Sequence, residues 1–515
     1  MQSSKSLIAK NTMMLYVRTF LTMGVSLYTS RVILNVLGIT DFGIFGVVGG
    51  IIWMFSFISN SMSGATQRYL TYEIGRTDLE SANRIFNISM FIYVILSIVI
   101  VCLGETIGLW FVKNKVVIPE GRLDAALWVY QASIFTAVIG FISIPYNALI
   151  ISHEKMSAFA YISIYEVLAK LIIVFLLEFI NFDKLKLYAV LLLLVQLSIR
   201  ALYQLYSRRH FAEAKLSIKD IWHIEIIKSM TGFAGWTLFG NLSCIAYTQG
   251  VNIVLNLFFG PVVNAARAIT AQVETVVKTF VSGFQTAMNP QLIKTYASNN
   301  ISQLQLLIFT GSKISFYLLY ILCLPIYFEA PCILALWLSN VPAHTINFIR
   351  IIIIAILIDT QANAFATTMS ATGNIKTYQI IVGCILLLIL PMVYLSSYLG
   401  GTPEIAMLIY LAFIIFAQIV RMLLACKTIG LSLKKYCISV VIPIIKVLVV
   451  SAIIPLILKL ILTPSISTTF LICISSICFA ILSIYRLGLN KSERSFVNNK
   501  LLTILSKIKQ YNAVL

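Results

Sequence analysis

The sequence predicts an all-α polytopic membrane protein of about fourteen transmembrane helices, built as two parallel six-helix lobes with two extra helices at the C-terminal end. Three observations carry that expectation. Of the 515 residues, 59% are hydrophobic and 11% charged, against about 25% charged in a soluble domain. Apolar runs of about 18 or more residues, long enough to cross a bilayer as helices, recur from end to end. The second half of the chain also repeats the span order of the first.

The spans read in order as 11–37, 42–65, 85–111, 125–151, 158–180, 186–206, 229–258, 262–286, 305–328, 345–370, 377–399, 403–425, 437–461 and 466–486. In lipid a helix satisfies every backbone N–H and C=O within its own segment, so each run is expected to be helical. An even number of spans puts both termini on one side. Of the 38 lysines and arginines, 25 fall on that side when loop flanks are counted and 5 on the other, the rest lying inside spans. By the positive-inside rule both termini are therefore expected in the cytoplasm. The formal net charge of +19 reads as a topology signal, and no nucleic-acid partner is expected.

The nine cysteines are scattered and contain no C-x-x-C pair, so they read as packing residues, not as a disulfide framework or a metal site. His153, His210, His223 and His344 sit in loops or at span ends without metal-ligand spacing. No metal and no cofactor is expected. The first apolar run contains Arg18 and leads into no translocated domain, so no cleavable signal peptide is expected.

The expected organisation is an N-terminal lobe at 1–207, a cytoplasmic linker at 208–228, a C-terminal lobe at 229–428, two additional spans at 429–487 and a basic tail at 488–515. From Lys491 to Gln510 lysines mix with Phe496, Val497, Leu501, Leu502, Leu505 and Ile508, a pattern suited to the surface of a leaflet. The repeat is visible at the end of spans one and seven, where Ile33-Leu34-Asn35-Val36 matches Val254-Leu255-Asn256-Leu257, each followed by a glycine and an expected sharp turn. Thr71–Thr77 then matches Ile293–Asn299 at an offset of 222 residues. A six-span repeat keeps its orientation, so the lobes are expected to be parallel.

One stretch departs from the apolar pattern. Residues 264–285 suit a span, yet Asn264, Arg267, Glu274, Thr275, Lys278, Ser282 and Gln285 share an arc of about 100° on a helical wheel. A charge at the bilayer centre costs at least about 2.5–3.5 kcal/mol on insertion scales, so such residues normally face a partner or water. The stripe is read as lining a hydrated interior. The bland alternative is an ion pair between Glu274 and Lys278 at i, i+4, which leaves Arg267 without an obvious partner.

Other polar stripes accompany it. Arg18, Thr22, Ser26 and Thr29 align on the first span, and Thr237, Asn241, Thr248 and Asn252 on the seventh. Thr136, Ser143 and Asn147 align on the fourth around Pro145, an expected kink, and Asp359, Asn363 and Ser370 on the tenth. The candidate substrate-binding residues are Arg18, Arg267 and Lys278, cations suited to an anionic ligand, with Thr22, Asn241 and Asn252 for its polar part. Glu274 and Asp359 are the candidate ion-coupling acids. Glu166 and Lys170 read as a structural i, i+4 pair. A phosphate-binding loop needs Gly-Lys, a dipeptide that never occurs here, and no catalytic triad or paired carboxylate stands on a loop, so no enzyme is expected.

The turn Leu37-Gly38-Ile39-Thr40-Asp41-Phe42-Gly43-Ile44, Gln67-Arg68-Tyr69 after the second span and Asn289-Pro290 after the eighth resemble the polysaccharide-biosynthesis flippases of the multidrug/oligosaccharidyl-lipid/polysaccharide exporter superfamily. The resemblance covers roughly residues 10–430. It implies alternating access and the flipping of undecaprenyl-diphosphate-linked oligosaccharide across the bacterial inner membrane, for O-antigen-type surface polysaccharide. A monomer is expected, with sodium or a proton as the counter-ion at Glu274 or Asp359. It also implies a cationic central cavity, which Arg18 and Arg267 match by position; the second span offers no cation there, only Ser56, Ser59, Asn60, Ser61 and Ser63. The rival readings are an ion-coupled drug exporter of the same superfamily and a membrane polysaccharide polymerase or ligase.

Overall fold

The computed structural model describes residues 2–53, 56–114, 118–119, 121–180, 182–217, 223–338, 341–463, 465–495 and 497–498. Among them there is no β-strand, and the chain is an all-α polytopic membrane protein. Its helical rods are α1 (Gln2–Trp53), α2 (Ser56–Gly75), α3 (Leu79–Asn114), α4 (Leu123–Ser152), α5 (Met156–Phe179), α6 (Lys184–His210), α7 (Ile224–Ala297), α8 (Ile301–Trp337), α9 (Thr345–Ala371), α10 (Lys376–Tyr398), α11 (Pro403–Ile429), α12 (Leu433–Ile461) and α13 (Ile466–Gly488). Eleven helices among the described residues are long and apolar enough to cross a membrane. The remaining three predicted spans, 11–37, 42–65 and 262–286, lie in α1 with α2 and in the second part of α7.

The internal repeat is written in the backbone. α1 breaks at Gly38 (φ 76°, ψ 167°) and α7 at Gly260 (φ 77°, ψ −172°), 222 residues apart. This conformation is essentially confined to glycine, so a glycine ends the first span of each half. Thr77 and Asn299, also 222 apart, are both left-handed (φ 61° and 56°). Gly121 with His344, and Glu154 with Gly373, continue the pairing of left-handed residues at separations of 223 and 219. Outside these pairs, left-handed residues occur only at Gly400 and Gly430 among the described residues.

Side chains close the helix starts. Asp78 accepts from the Ser81 N–H at 2.9 Å and from its hydroxyl at 2.9 Å, and these bonds hold its carboxyl below the usual aspartate range. Asp183 caps α6 through Leu185 at 3.1 Å and Lys186 at 3.3 Å. Ser465 and Thr468 form a reciprocal capping box at the start of α13. α4 continues as helix through Pro145.

By packing, the chain divides into two compact units. The first comprises Met1–Ser243, Gly283–Leu304 and Thr367–Gly383; the second comprises Cys244–Ser282, Gln305–Ala366 and Cys384–Leu515. The division therefore cuts through α7 twice instead of following the linker. In the first unit Phe86, Tyr146, Leu149, Val174 and Leu177 pack with essentially no exposure. The turn containing Asp41 is fastened there by Arg122, which donates to Asp41 and, at 2.9 Å, to Asp183. The linker is held to α3: Asn83 donates to the carbonyls of Glu213 and Lys215 at 2.7 and 2.8 Å, and Asn87 accepts from the Ser217 N–H at 2.8 Å. His153 bonds the buried Glu213 carboxylate and stacks on Phe211, centroids 4.2 Å apart.

In the second unit the extra helices attach to α8 at a kink. Glu329, between Pro325 and Pro331, leaves the helical conformation. It accepts from Lys459 of α12 at 3.1 Å and from the Thr469 hydroxyl of α13 at 3.0 Å. The start of the predicted tail is anchored by Lys313, 2.7 Å from Glu493, both buried. Phe496 and the rest of that tail, 499–515, lie outside the described residues.

Candidate functional site

The charged stripe of residues 264–285 is helical throughout, and within the second unit its charges meet one another and two more helices. Lys278 Nζ lies 2.9 Å from Glu274 Oε1 and 3.7 Å from Asp359 Oδ2. Arg267 Nη1 lies 3.5 Å from Glu274 Oε2. Arg421 of α11 places Nη1 3.0 Å from the other Asp359 oxygen, Oδ1. The result is one chain of charge, Arg267–Glu274–Lys278–Asp359–Arg421, three cations and two acids.

The Glu274–Lys278 pair set aside above as the bland alternative is thus present. The expectation that Arg267 has no acidic partner is corrected. Positions i and i+7 lie on one helix face about 10.5 Å apart along the axis, and the long arginine side chain closes that gap. Arg421 was missed: the sequence reading counts it among the basic flanks of the loop after span twelve, whereas the structure buries it. Its signal was Gln418 and Arg421, two polar residues one turn apart in an apolar run.

The local backbone helps to set the site. α9 is interrupted by a turn at Thr360 and Gln361, immediately after Asp359, and Gln361 accepts from the Tyr436 hydroxyl at 2.8 Å. A carboxylate at the end of a helical segment is poorly placed against the helix dipole; Arg421 and Lys278 offset that. Tyr247 and Tyr410, ring centroids 5.8 Å apart and both buried, pack beside the charges. The five side chains differ in access. Those of Arg267 and Arg421 are 4% and 8% exposed, Glu274 13%, Asp359 27% and Lys278 42%.

The other predicted site residues sit elsewhere. Arg18 belongs to the first unit, where its guanidinium lies 4.4 Å from the centre of the Phe159 ring; its Nε is buried without a hydrogen-bond acceptor. Thr22 donates to the carbonyl of Thr19 in its own helix at 3.1 Å. Asn241, also of the first unit, donates to the Ser61 hydroxyl at 3.0 Å. Asn252, of the second, donates to Gln249 at 3.3 Å. Glu166 and Lys170 pair at 2.6 Å.

A sequence profile described as polysaccharide biosynthesis protein matches residues 8–296. The chain belongs to that family. Solved structures are similar in fold across most of the family member's length. An outward-facing multidrug resistance MATE family transporter of the MOP superfamily aligns at 14% identity with a TM-score of 0.71, over 83% of this chain and 96% of its own. A MOP superfamily transporter from Pyrococcus furiosus Vc1, described as having a binding pocket of reverse polarity that suggests a different function, aligns at 14% identity and a TM-score of 0.69, over 83% and 96%. A MATE structure in the straight conformation aligns at 16% identity and 0.69, over the same shares. At that identity the likeness is one of fold. No curated protein matches in sequence. The chain is thus a multi-pass membrane protein of the polysaccharide biosynthesis family, with the fold of those transporters.

Proposed function

We propose that this protein flips an undecaprenyl-diphosphate-linked oligosaccharide from the cytoplasmic to the periplasmic leaflet of a bacterial inner membrane, by alternating access and as a monomer. The observation that carries the reading is the make-up of the charge chain. Each acid has its own guanidinium, Glu274 with Arg267 and Asp359 with Arg421, which leaves Lys278 as the surplus cation. Lys278 is also the most exposed of the five. It can turn to an anion without leaving a buried carboxylate unpaired, an outcome that costs about 3–5 kcal/mol when one partner of a buried pair is lost. A cationic drug would find the opposite: every acid already engaged.

In this proposal the diphosphate meets Lys278, within the positive field of Arg267 and Arg421. Asn252 meets the sugars; Arg18, Thr22 and Asn241, in the first unit, are proposed as further substrate contacts. Glu274 and Asp359 take up sodium or a proton only if a ligand also displaces their guanidinium partners. With the interior negative, outward movement of an anion gains about 2.3 kcal/mol per charge per 100 mV if the whole field is crossed. The test is to delete the gene and identify accumulating lipid-linked glycans by mass spectrometry. The reading expects lipid-linked repeat units to build up, with recovery on complementation. An unchanged lipid-linked pool with normal surface polysaccharide rejects it.

A further inference from the structure

We propose that Arg68 and Glu154 are the two halves of a pseudo-symmetric latch that fastens the two sequence halves together at the helix ends nearest the N-terminus, the side assigned above to the cytoplasm. All the residues involved lie in the first compact unit.

The first half of the latch is a cation on a helix end. Arg68, near the end of α2 and 7% exposed, donates from Nε to the Ser370 carbonyl at 3.0 Å and from Nη2 to the Ala371 carbonyl at 2.8 Å. These carbonyls end α9, where an arginine both satisfies orphan acceptors and meets the negative end of the dipole. Tyr69, Tyr72 and Phe233 surround the guanidinium at 4.4, 5.1 and 5.8 Å. Two residues beyond Ala371 stands Gly373, at φ 82°, where an added Cβ would come 2.9 Å from Arg68 Nη2.

The second half has the reverse polarity. Glu154, left-handed at φ 59° and buried, turns the chain from α4 into α5. Its carboxylate accepts from Lys294 Nζ at 2.5 Å and from Gln291, both near the end of α7. Its carbonyl accepts from Asn11 of α1 at 3.1 Å.

The repeat relates the two. The end of α2 corresponds to the end of α7, and the left-handed turn at Glu154 to the one at Gly373. Each half therefore sends the end of its second span onto the turn after the fourth span of the other. The shared geometry is what a duplicated six-span unit leaves behind. The chemistry has diverged: backbone carbonyls keep their dipoles in every state, whereas a carboxylate and an amine can each be neutralised or rehydrated separately. Glu154 and Lys294 are thus the releasable side, and Arg68 the permanent one.

This inference rests on the transport reading only in that alternating access requires the Glu154–Lys294 contact to part. The test uses the full chain in lipid nanodiscs without substrate. With the nine native cysteines replaced, spin labels at Arg76→Cys and Asn300→Cys, both exposed sites, report the distance by pulsed electron resonance. Glu154→Gln should lower the short-distance population at least about tenfold relative to the long one, as expected for a broken buried pair. The exchange Glu154→Lys with Lys294→Glu should restore it. If Glu154→Gln does not accumulate, Lys294→Met reads the same contact. An unchanged distribution in these single variants, or an exchange that restores nothing, overturns the latch. Normal latch behaviour in a protein that moves no lipid-linked glycan would instead remove the cargo assignment alone.

Discussion

Arg421 holds Asp359 at 3.0 Å, with its guanidinium 8% exposed in the body of α11. The pair accounts for a charge that the sequence places in an apolar run, and it anchors one end of the charge chain that carries the functional reading. Arg421→Met should strand Asp359 with Lys278 alone and cost about 3–5 kcal/mol. Combining it with Asp359→Asn should recover much of that loss, because the two residues are directly coupled. Thermal unfolding of the purified variants in detergent reads both numbers.

Lys278 should behave differently. Its partners each keep a guanidinium without it, so Lys278→Gln should leave the unfolding temperature within a few degrees while abolishing glycan export. Arg267→Ala should trap lipid-linked repeat units on the cytoplasmic leaflet and also lower stability, since Glu274 loses a buried partner. Export and unfolding measured side by side distinguish the two residues.

Gly38 and Gly260 carry equivalent backbone strain. An alanine at either position meets no atom within 4 Å, so any penalty comes from the backbone conformation, about 1–3 kcal/mol. Gly24 also has open space around it but lies in regular helix, where alanine gains up to about 1 kcal/mol. Gly38→Ala and Gly260→Ala should therefore lower the unfolding temperature by similar amounts, and Gly24→Ala should not.

The linker gives a pH prediction. Burial works to raise the Glu213 carboxyl, but the hydrogen bond and charge of His153 outweigh it and hold the group below the ordinary glutamate range. A depressed carboxyl stabilises the fold above its unfolded value, about 4.3, and that contribution is lost as pH falls through the lower folded value. Limited proteolysis of residues 208–217 should accelerate below about pH 4.3. His153→Ala should open the same site at neutral pH.

The span pattern was legible because each apolar run has one backbone solution in lipid; among the described residues the fourteen predicted spans fall on helices. The repeat was legible at Gly38 and Gly260, since glycine marks a conformation other residues avoid. The partners of the charges were not. Arg267 meets Glu274 seven residues on, and periodicity places both on one face without saying that a side chain will close the distance. Arg421, Asp359 and Lys278 come from three helices, and no spacing within one helix encodes such a meeting. Arg68 and Glu154 were hidden for the same reason: their acceptors and donors lie 302 and 140 residues away in sequence.

The central claim is that a surplus cation, Lys278, carries the phosphate of a lipid-linked glycan across the membrane. The most direct measurement is flipping by the purified protein in vesicles loaded with undecaprenyl-diphosphate-linked oligosaccharide, read by the fraction reaching a glycosidase outside. The account predicts transfer by the parent, loss of transfer in Lys278→Gln and recovery in Lys278→Arg. Equal transfer by the parent and Lys278→Gln would contradict it, as would a parent that moves cationic drugs but no glycan.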